Sequence, residues 1–350
     1  MTTLRTIAQL RNAGFVPAEQ TAALEKVAAR YAVAITPAVA DLIDRDDPND
    51  PIARQFIPDP AELSSEPYER ADPIGDDAFS PVEGLVHRYP DRVLLKLVYT
   101  CPVYCRFCFR REMVGPGGRR GLTADKREAA YRYIRQHPEI WEVILTGGDP
   151  LVLPASRLRD VVRTLAAIGH IKIIRVHTRV PVVTPERITG ELLAALRTPG
   201  ATTYVALHAN HPRELSAGAR AACGKIVDAG IPMLSQTVLL RGVNDDVETL
   251  SALMRAFVEC RIKPYYLHHA DLAPGTGHLR TSIETGQDLM RQMRGRVSGL
   301  CQPAYVLDIP GGAGKVPVGP SYISAADAGA EQRYEVRAIG GGSHAYPPRR

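Results

Sequence analysis

The sequence predicts an α/β fold, a partial (β/α)6 TIM-like barrel with a helical N-terminal segment and a short C-terminal extension. Three observations predict it. From about residue 91, short apolar runs rich in β-branched residues recur. Segments long enough for a crossover helix separate them, and strand–helix alternation of this kind implies a parallel sheet. Finally, the polar residues suited to chemistry fall at or just after the runs, where barrels place their active sites. A doubly wound open sheet is the competing architecture.

The strand-like runs are Val93–Tyr99, Val143–Thr146, Ile171–His177, Thr203–His208, Met233–Leu240 and Tyr265–His269. The helical segments between and after them include Lys126–Gln136, Ala155–Ala167, Pro185–Leu196, Glu214–Ala229 and Asp246–Val258. Cys101 follows the first run, Gly147–Asp149 the second and Asp271 the sixth, while His177–Arg179 closes the third. Ahead of the barrel, Thr21–Tyr31 has the apolar spacing of a helix. Asp44–Pro81, rich in Asp, Pro and Glu, reads as an irregular wrapping segment, with residues 66–86 as a partly mobile entry loop. Beyond the barrel lies one more apolar run, Ala304–Leu307, then the glycine-rich DIPGGAGKVPVGP, then a tail from Gly340 expected to be poorly ordered. The expected organisation is therefore 1–85, 86–302 and 303–350.

Composition narrows the function. Apolar residues make up 45% of 350, enough for a sizeable core. The net charge is only +5 and the basic residues are scattered, which argues against a nucleic-acid surface. No apolar run reaches the ~20 residues that span a bilayer, and the opening MTTLRTIAQLRNAGF lacks a signal-peptide core, so a cytoplasmic protein with no membrane association is expected. Of six cysteines, three lie within eight residues, a clustering that points to metal or redox chemistry.

Those three, Cys101, Cys105 and Cys108 in YTCPVYCRFCFRR, have C-x3-C-x2-C spacing. Three thiolates can hold three irons of a [4Fe–4S] cubane and leave the fourth open. Zinc, or a merely buried cysteine cluster, is the competing reading. A structural zinc site wants a fourth protein ligand, and His137, at a helix end, is the only His or Cys in the next thirty residues. The stretch Thr146-Gly147-Gly148-Asp149-Pro150 is by itself compatible with a simple turn. Lys315 ends the loop DIPGGAGK; its amine could form a Schiff base with pyridoxal phosphate. A phosphate loop or a surface lysine are the alternatives, and Val316 after Lys315 breaks the Walker pattern.

Together these residues resemble the radical S-adenosylmethionine enzymes, and within them the lysine 2,3-aminomutase family. The resemblance runs from about His87 to Tyr322 through HRYPDR (87–92), CPVYCRFCFRR (101–111), LTGGDPL (145–151), RVPVVTPERIT (179–189), LLRGVND (239–245), KPYYLHHADLAPGTGHLRT (263–281) and YVLDIPGGAGKVPVGPSYI (305–323). It implies a cluster on the three cysteines whose open iron chelates S-adenosylmethionine and whose reduction, by a flavodoxin- or ferredoxin-type partner, releases a 5′-deoxyadenosyl radical. It implies pyridoxal phosphate on Lys315 with its phosphate near Arg88. S-adenosylmethionine contacts are implied at Gly147, Gly148, Asp149 and Gln236, Arg110 on the substrate carboxylate, and Asp271 with Asp308 on the distant ammonium of L-lysine. The implied reaction moves the 2-amino group of lysine to C3, giving β-lysine. The short length resembles the relatives that make (R)-β-lysine for elongation factor P. No cysteine follows Cys301, whereas longer members carry a further C-terminal cluster that binds zinc between subunits. A homo-oligomer is a further expectation. The competing function is radical modification of a macromolecule without pyridoxal phosphate, against which Lys315 and the two aspartates argue.

Overall fold

The computed structural model describes residues 2–115, 121–326 and 333–346. Each apolar run of the sequence becomes a strand because its neighbours on both faces are apolar, the composition a parallel sheet needs when helices cover it. The strands are β1 (Leu85–Tyr89), β2 (Arg92–Val98), β3 (Glu142–Gly147), β4 (Ile173–Thr178), β5 (Thr202–His208), β6 (Met233–Val238), β7 (Ile262–His268), β8 (Ala304–Ile309) and β9 (Gly314–Pro317). They lie side by side in chain order in one nine-stranded sheet. Strands β2 to β8 are parallel, while β1 and β9 pair antiparallel at the two edges. Six β/α units thus carry the chain to a seventh parallel strand, β8, formed by the run at 304–307 and its neighbours.

The crossover helices bury one stripe and are capped by their own sequence. Ala155–Ala166 buries Leu158, Val161, Val162 and Leu165, the i, i+3, i+4, i+7 pattern of an amphipathic helix. Thr123, Thr189, Ser216, Asp246 and Ser282 each accept an N–H of the first turn that follows them. Among the described residues no helix is long and apolar enough to cross a membrane.

Two details bear on the site. First, the sheet's edges meet: the Tyr89 hydroxyl of β1 accepts the Lys315 N–H of β9 at 2.7 Å. HRYPDR therefore fixes the backbone of the lysine loop. Second, the N-terminal segment is more ordered than its composition suggests, with short helical turns at Ala53–Phe56, Pro60–Leu63 and Asp77–Phe79. The stretch 66–86 makes contacts with the barrel: Arg70 N–H donates to Leu272 O at 2.9 Å, and a Cβ on Gly75 would collide with the backbone of Gly311. The tail also differs from expectation. Ile323–Ala326 (β10), Arg333–Arg337 (β11) and Ser343–Tyr346 (β12) form a separate antiparallel sheet, so the chain past Gly340 still makes ladder hydrogen bonds. Residues 347–350 lie outside those described.

Candidate active site

The cysteine loop leaves the C-terminal end of β2 and is held mainly from the N-terminal segment. Glu62, fully buried, pairs with both Arg106 and Arg111 of the loop. Arg106 N–H donates to Gln55 O at 2.8 Å, and Tyr104 N–H to Ala34 O at 3.2 Å. Arg179, at the end of β4, donates from Nη1 to Cys105 Sγ at 3.1 Å and pairs with Glu214 and with Gln55 Oε1. Burial pushes all three thiols up, Cys108 to about 11, with neighbouring cysteines adding to the shift in Cys101 and Cys108. Thiols in such a place ionise when a metal supplies positive charge. Among the described residues no three His, Cys, Asp or Glu side chains converge to hold one metal ion. A cubane asks for a different arrangement, one thiolate on each of three irons, and the three thiols lie near enough to interact without converging. The donor set fits a cluster. Because Glu62 neutralises two buried guanidinium groups, Glu62→Ala should cost about 3–5 kcal/mol and lower the Tm of the chain before any cofactor is added, measured by thermal unfolding.

The Gly147–Asp149 turn packs against this loop. A Cβ on Gly147, at φ +116°, would collide with Val98 O, and one on Gly148 with the backbone of Thr100. The glycines are required by backbone packing of the turn on the cysteine loop, a nearer cause than approach to a ligand. The Asp149 carboxylate is buried and accepts from Thr178 Oγ1 at 2.8 and 2.9 Å, Arg179 N at 2.7 Å and Leu151 N at 3.0 Å. It therefore joins the ends of β3 and β4 and is spent within the chain. Gln236, on β6, places Nε2 at 3.4 Å from Nε2 of His177 on β4. Burial holds His177 well below the usual imidazole range, hence neutral.

At the other side of the barrel mouth, Lys315 Nζ forms an ion pair with Asp308 and lies 3.2 Å from His268 Nδ1. Antiparallel pairing of β8 with β9 sets Asp308 opposite Lys315. Burial alone would raise Asp308, but the adjacent His268 imidazole and the charge of Lys315 outweigh it and bring the carboxyl down to about 2. Asp271 behaves oppositely. It follows β7, its carboxylate makes no hydrogen bond to any described residue, and burial together with the charge of Asp308 pushes it up to about 7, against the pull of Lys315 and Arg110. The same Lys315 and Arg110 charges act on His177, so these groups share one electrostatic neighbourhood.

Arg88 and Arg110 meet on a residue that sequence reasoning missed. Asp76, 1% exposed, pairs with Arg110 Nη2 at 2.9 Å, Arg88 Nη2 at 3.3 Å and Lys96 Nζ at 3.6 Å. Three cations around one carboxylate leave a buried excess of positive charge, which suits a phosphate and a carboxylate arriving with ligands. With the amine of Lys315 nearby, the residues fit pyridoxal phosphate. Lys96 had a visible signal, a lone charge inside the apolar run 93–99. Asp76 had none, since it sits in an aperiodic Asp- and Pro-rich stretch. Tyr89 and His268 lie within HRYPDR and KPYYLHHADLAPGTGHLRT, where sequence alone assigns them no role.

Comparison with known proteins adds to this geometry. Residues 95–253 match the radical SAM superfamily, and residues 290–347 match the family described as lysine-2,3-aminomutase. The chain is 42% identical over 291 residues to L-lysine 2,3-aminomutase of Clostridium subterminale, covering 83% of this chain and 70% of that one. It is 40% identical over 305 residues to the enzyme of the same name from Fusobacterium nucleatum, covering 87% and 71%. It is also 36% identical over 300 residues to glutamate 2,3-aminomutase of Clostridioides difficile, covering 86% and 70%.

Proposed function

From the premise that this chain belongs to the lysine 2,3-aminomutase family of the radical SAM superfamily, we propose that it is an isomerase moving the 2-amino group of L-lysine to C3. Relatives act on lysine and on glutamate, so the substrate must be argued from the site. The observation that carries lysine is the pair of acidic groups beside Lys315: Asp308, ionised, and Asp271, unpartnered and pushed up to about 7. A second ammonium entering there would relieve both the repulsion between the carboxylates and the missing partner of Asp271. A carboxylate entering there would add to the repulsion.

In this reading Cys101, Cys105 and Cys108 hold the cluster, and Lys315 with Arg88 holds pyridoxal phosphate. When bound, these groups together with S-adenosylmethionine supply a hydrogen-abstracting radical and a conjugated system that stabilises an unpaired electron near the migrating nitrogen. The chain's own residues measure the substrate. Arg110 takes the α-carboxylate, and a planar fork suits that. Asp271 and Asp308 take the distal ammonium. The contact between Lys315 and Asp308 must open before Asp308 can do so, and His268, whose Nδ1 is 3.6 Å from Asp308 Oδ2, stands beside that carboxylate. Contacts to S-adenosylmethionine fall to Gln236 and to the backbone carbonyls at Gly147, Gly148 and Asp149, since the Asp149 carboxylate and the N–H groups of Gly148 and Asp149 are already engaged.

The test is anaerobic reconstitution with iron, sulfide, pyridoxal phosphate, S-adenosylmethionine and reductant, followed by L-lysine and chiral analysis. β-Lysine is the expected product; its absence, with cluster and bound pyridoxal both present, would rule out the lysine assignment. The enantiomer found decides whether the product suits elongation factor P modification.

A pH dependence follows. Asp271 is raised to about 7, so below that pH it is neutral and cannot hold an ammonium. KM for lysine should rise as pH falls, approaching about tenfold per pH unit once Asp271 is protonated, and should level off above its pKa. Initial rates across that range, with cluster content checked at each pH, measure it. A KM that falls on acidification would contradict the role of Asp271.

A further inference from the structure

Asp76 lies at the centre of a buried charge cluster to which the reaction assigns only the cations. Its Oδ2 accepts from Arg110 at both Nη2 (2.9 Å) and Nε (3.4 Å), and Oδ1 accepts from Arg88 Nη2 at 3.3 Å. Arg88 Nη2 also donates to Ile74 O at 2.6 Å, two residues before Asp76. Arg110 therefore spends its Nε–Nη2 edge on this segment, and Arg88 spends Nη2. Among the described residues Nη1 of Arg88 and of Arg110 makes no hydrogen bond, so each retains donors for a ligand. Lys96 adds a third positive charge 3.6 Å away.

We propose that Asp76 is a positioning residue: it orients the guanidinium planes of Arg88 and Arg110 so that their free donors meet the cofactor phosphate and the α-carboxylate of the amino acid. The assignment rests on the functional reading above, which gives those two arginines their anions. Its content is additional, because it makes the N-terminal segment part of ligand recognition.

The competing idea is that Asp76 is a plug, an internal anion occupying the arginines until a ligand displaces it. The backbone argues for a fixed support. Both oxygens of the Asp72 carboxylate are used to hold the turn, one accepting from Asp76 N at 2.9 Å and the other from Asp77 N at 2.8 Å. Ser80 Oγ donates to Asp76 O at 2.8 Å. Gly75 and Gly312 interlock this turn with the lysine loop: a Cβ on Gly75 would collide with Gly311, and one on Gly312 with the Phe79 ring. Upstream, Glu69 pairs with Arg280 at 2.9 Å and accepts from Gly275 N at 3.2 Å. A carboxylate anchored from both sides is preorganised, and preorganised ion pairs fix geometry at little further entropic cost.

The two ideas differ in sign. A plug, once neutralised, lets anions bind better. A support, once neutralised, lets them bind worse and specifically weakens recognition of the anionic group. The experiment uses the full chain and two probe pairs. Pyridoxal phosphate against pyridoxal isolates the phosphate, read by absorbance titration of the bound aldehyde. L-Lysine against L-lysinamide isolates the carboxylate, read by the spectral change each causes in the loaded protein. Asp76→Asn keeps the size of the side chain and removes its charge. It is expected to lower at least one affinity ratio about tenfold. A general loss of structure would lower both members of a pair alike and leave the ratios in place. Ratios that stay unchanged, or rise, overturn the proposal. Should Asp76→Asn fail to fold, Asp76→Glu takes its place, moving the carboxylate by one methylene; a fall of about threefold is expected, and unchanged ratios overturn the proposal equally. A wild-type protein that does not prefer pyridoxal phosphate to pyridoxal would refute the functional reading itself, a result separate from an intact preference that survives the substitution.

Discussion

Replacing Lys315 by alanine is expected to abolish retention of pyridoxal phosphate and to lower turnover by about ten-thousandfold or more, while leaving the iron–sulfur absorbance of the reconstituted protein unchanged. The separation follows from the fold. Lys315 stands on β9, whereas Cys101, Cys105 and Cys108 sit in the loop after β2. Its backbone is held by Tyr89 and its amine by Asp308 and His268, none of which touches a cysteine. Removing the amine also frees the Asp308 carboxylate, leaving it beside Asp271 without its cation. Asp308 should then rise from about 2 toward the ordinary carboxylate range. Borohydride treatment of the loaded wild-type protein should fix a pyridoxyl group on the peptide containing Lys315, and the variant should show none. A variant that retains pyridoxal phosphate covalently would move the attachment to another lysine.

The second large effect is expected at Asp271. Asp271→Asn should lower kcat/KM for lysine by about a hundredfold or more, with the loss mainly in KM. Asparagine is nearly isosteric, and the carboxylate it replaces has no hydrogen bond within the chain, so little stability should change with it. What is lost is the negative charge that a distal ammonium needs once desolvated. The rise of KM on acidification should vanish in this variant, because the group that titrates near 7 is gone. Steady-state kinetics of both proteins, normalised to cluster and pyridoxal content, measures this. Equal KM values for lysine would place the ammonium elsewhere.

Much of the barrel was legible because buried parallel strands need continuous apolar runs, and those runs fall within a few residues of β2 to β7. The antiparallel edges were not. β9 is Gly314–Pro317, in a glycine- and proline-rich loop with no alternation, and it exists because β8 offers it a free edge. β1 is similarly short and follows a turn-rich stretch. For the site, the spacing of Cys101, Cys105 and Cys108 is a local signal, whereas Lys315 stands out from a surface lysine only in the context of the family resemblance. Asp76 and Glu62 escaped because their meaning is tertiary: each is one acid in an acidic, aperiodic segment, and only folding brings it against cations from residues 88–111. Lys96 shows the intermediate case, a charge conspicuous in an apolar strand whose partner could not be named from sequence. The glycines at 147 and 148 carry a different lesson. The resemblance implies S-adenosylmethionine contacts there, and packing against Val98 and Thr100 already demands glycine at both positions.

The most direct test is to supply the reconstituted protein with L-lysine deuterated at C3 and follow the label. Hydrogen abstraction from C3 by the 5′-deoxyadenosyl radical, with lysine held by Arg110, Asp271 and Asp308, should transfer deuterium to 5′-deoxyadenosine and return some of it to C2 of the β-lysine formed. Deuterium found in neither place, while S-adenosylmethionine is still cleaved, would contradict a radical directed at lysine in this site.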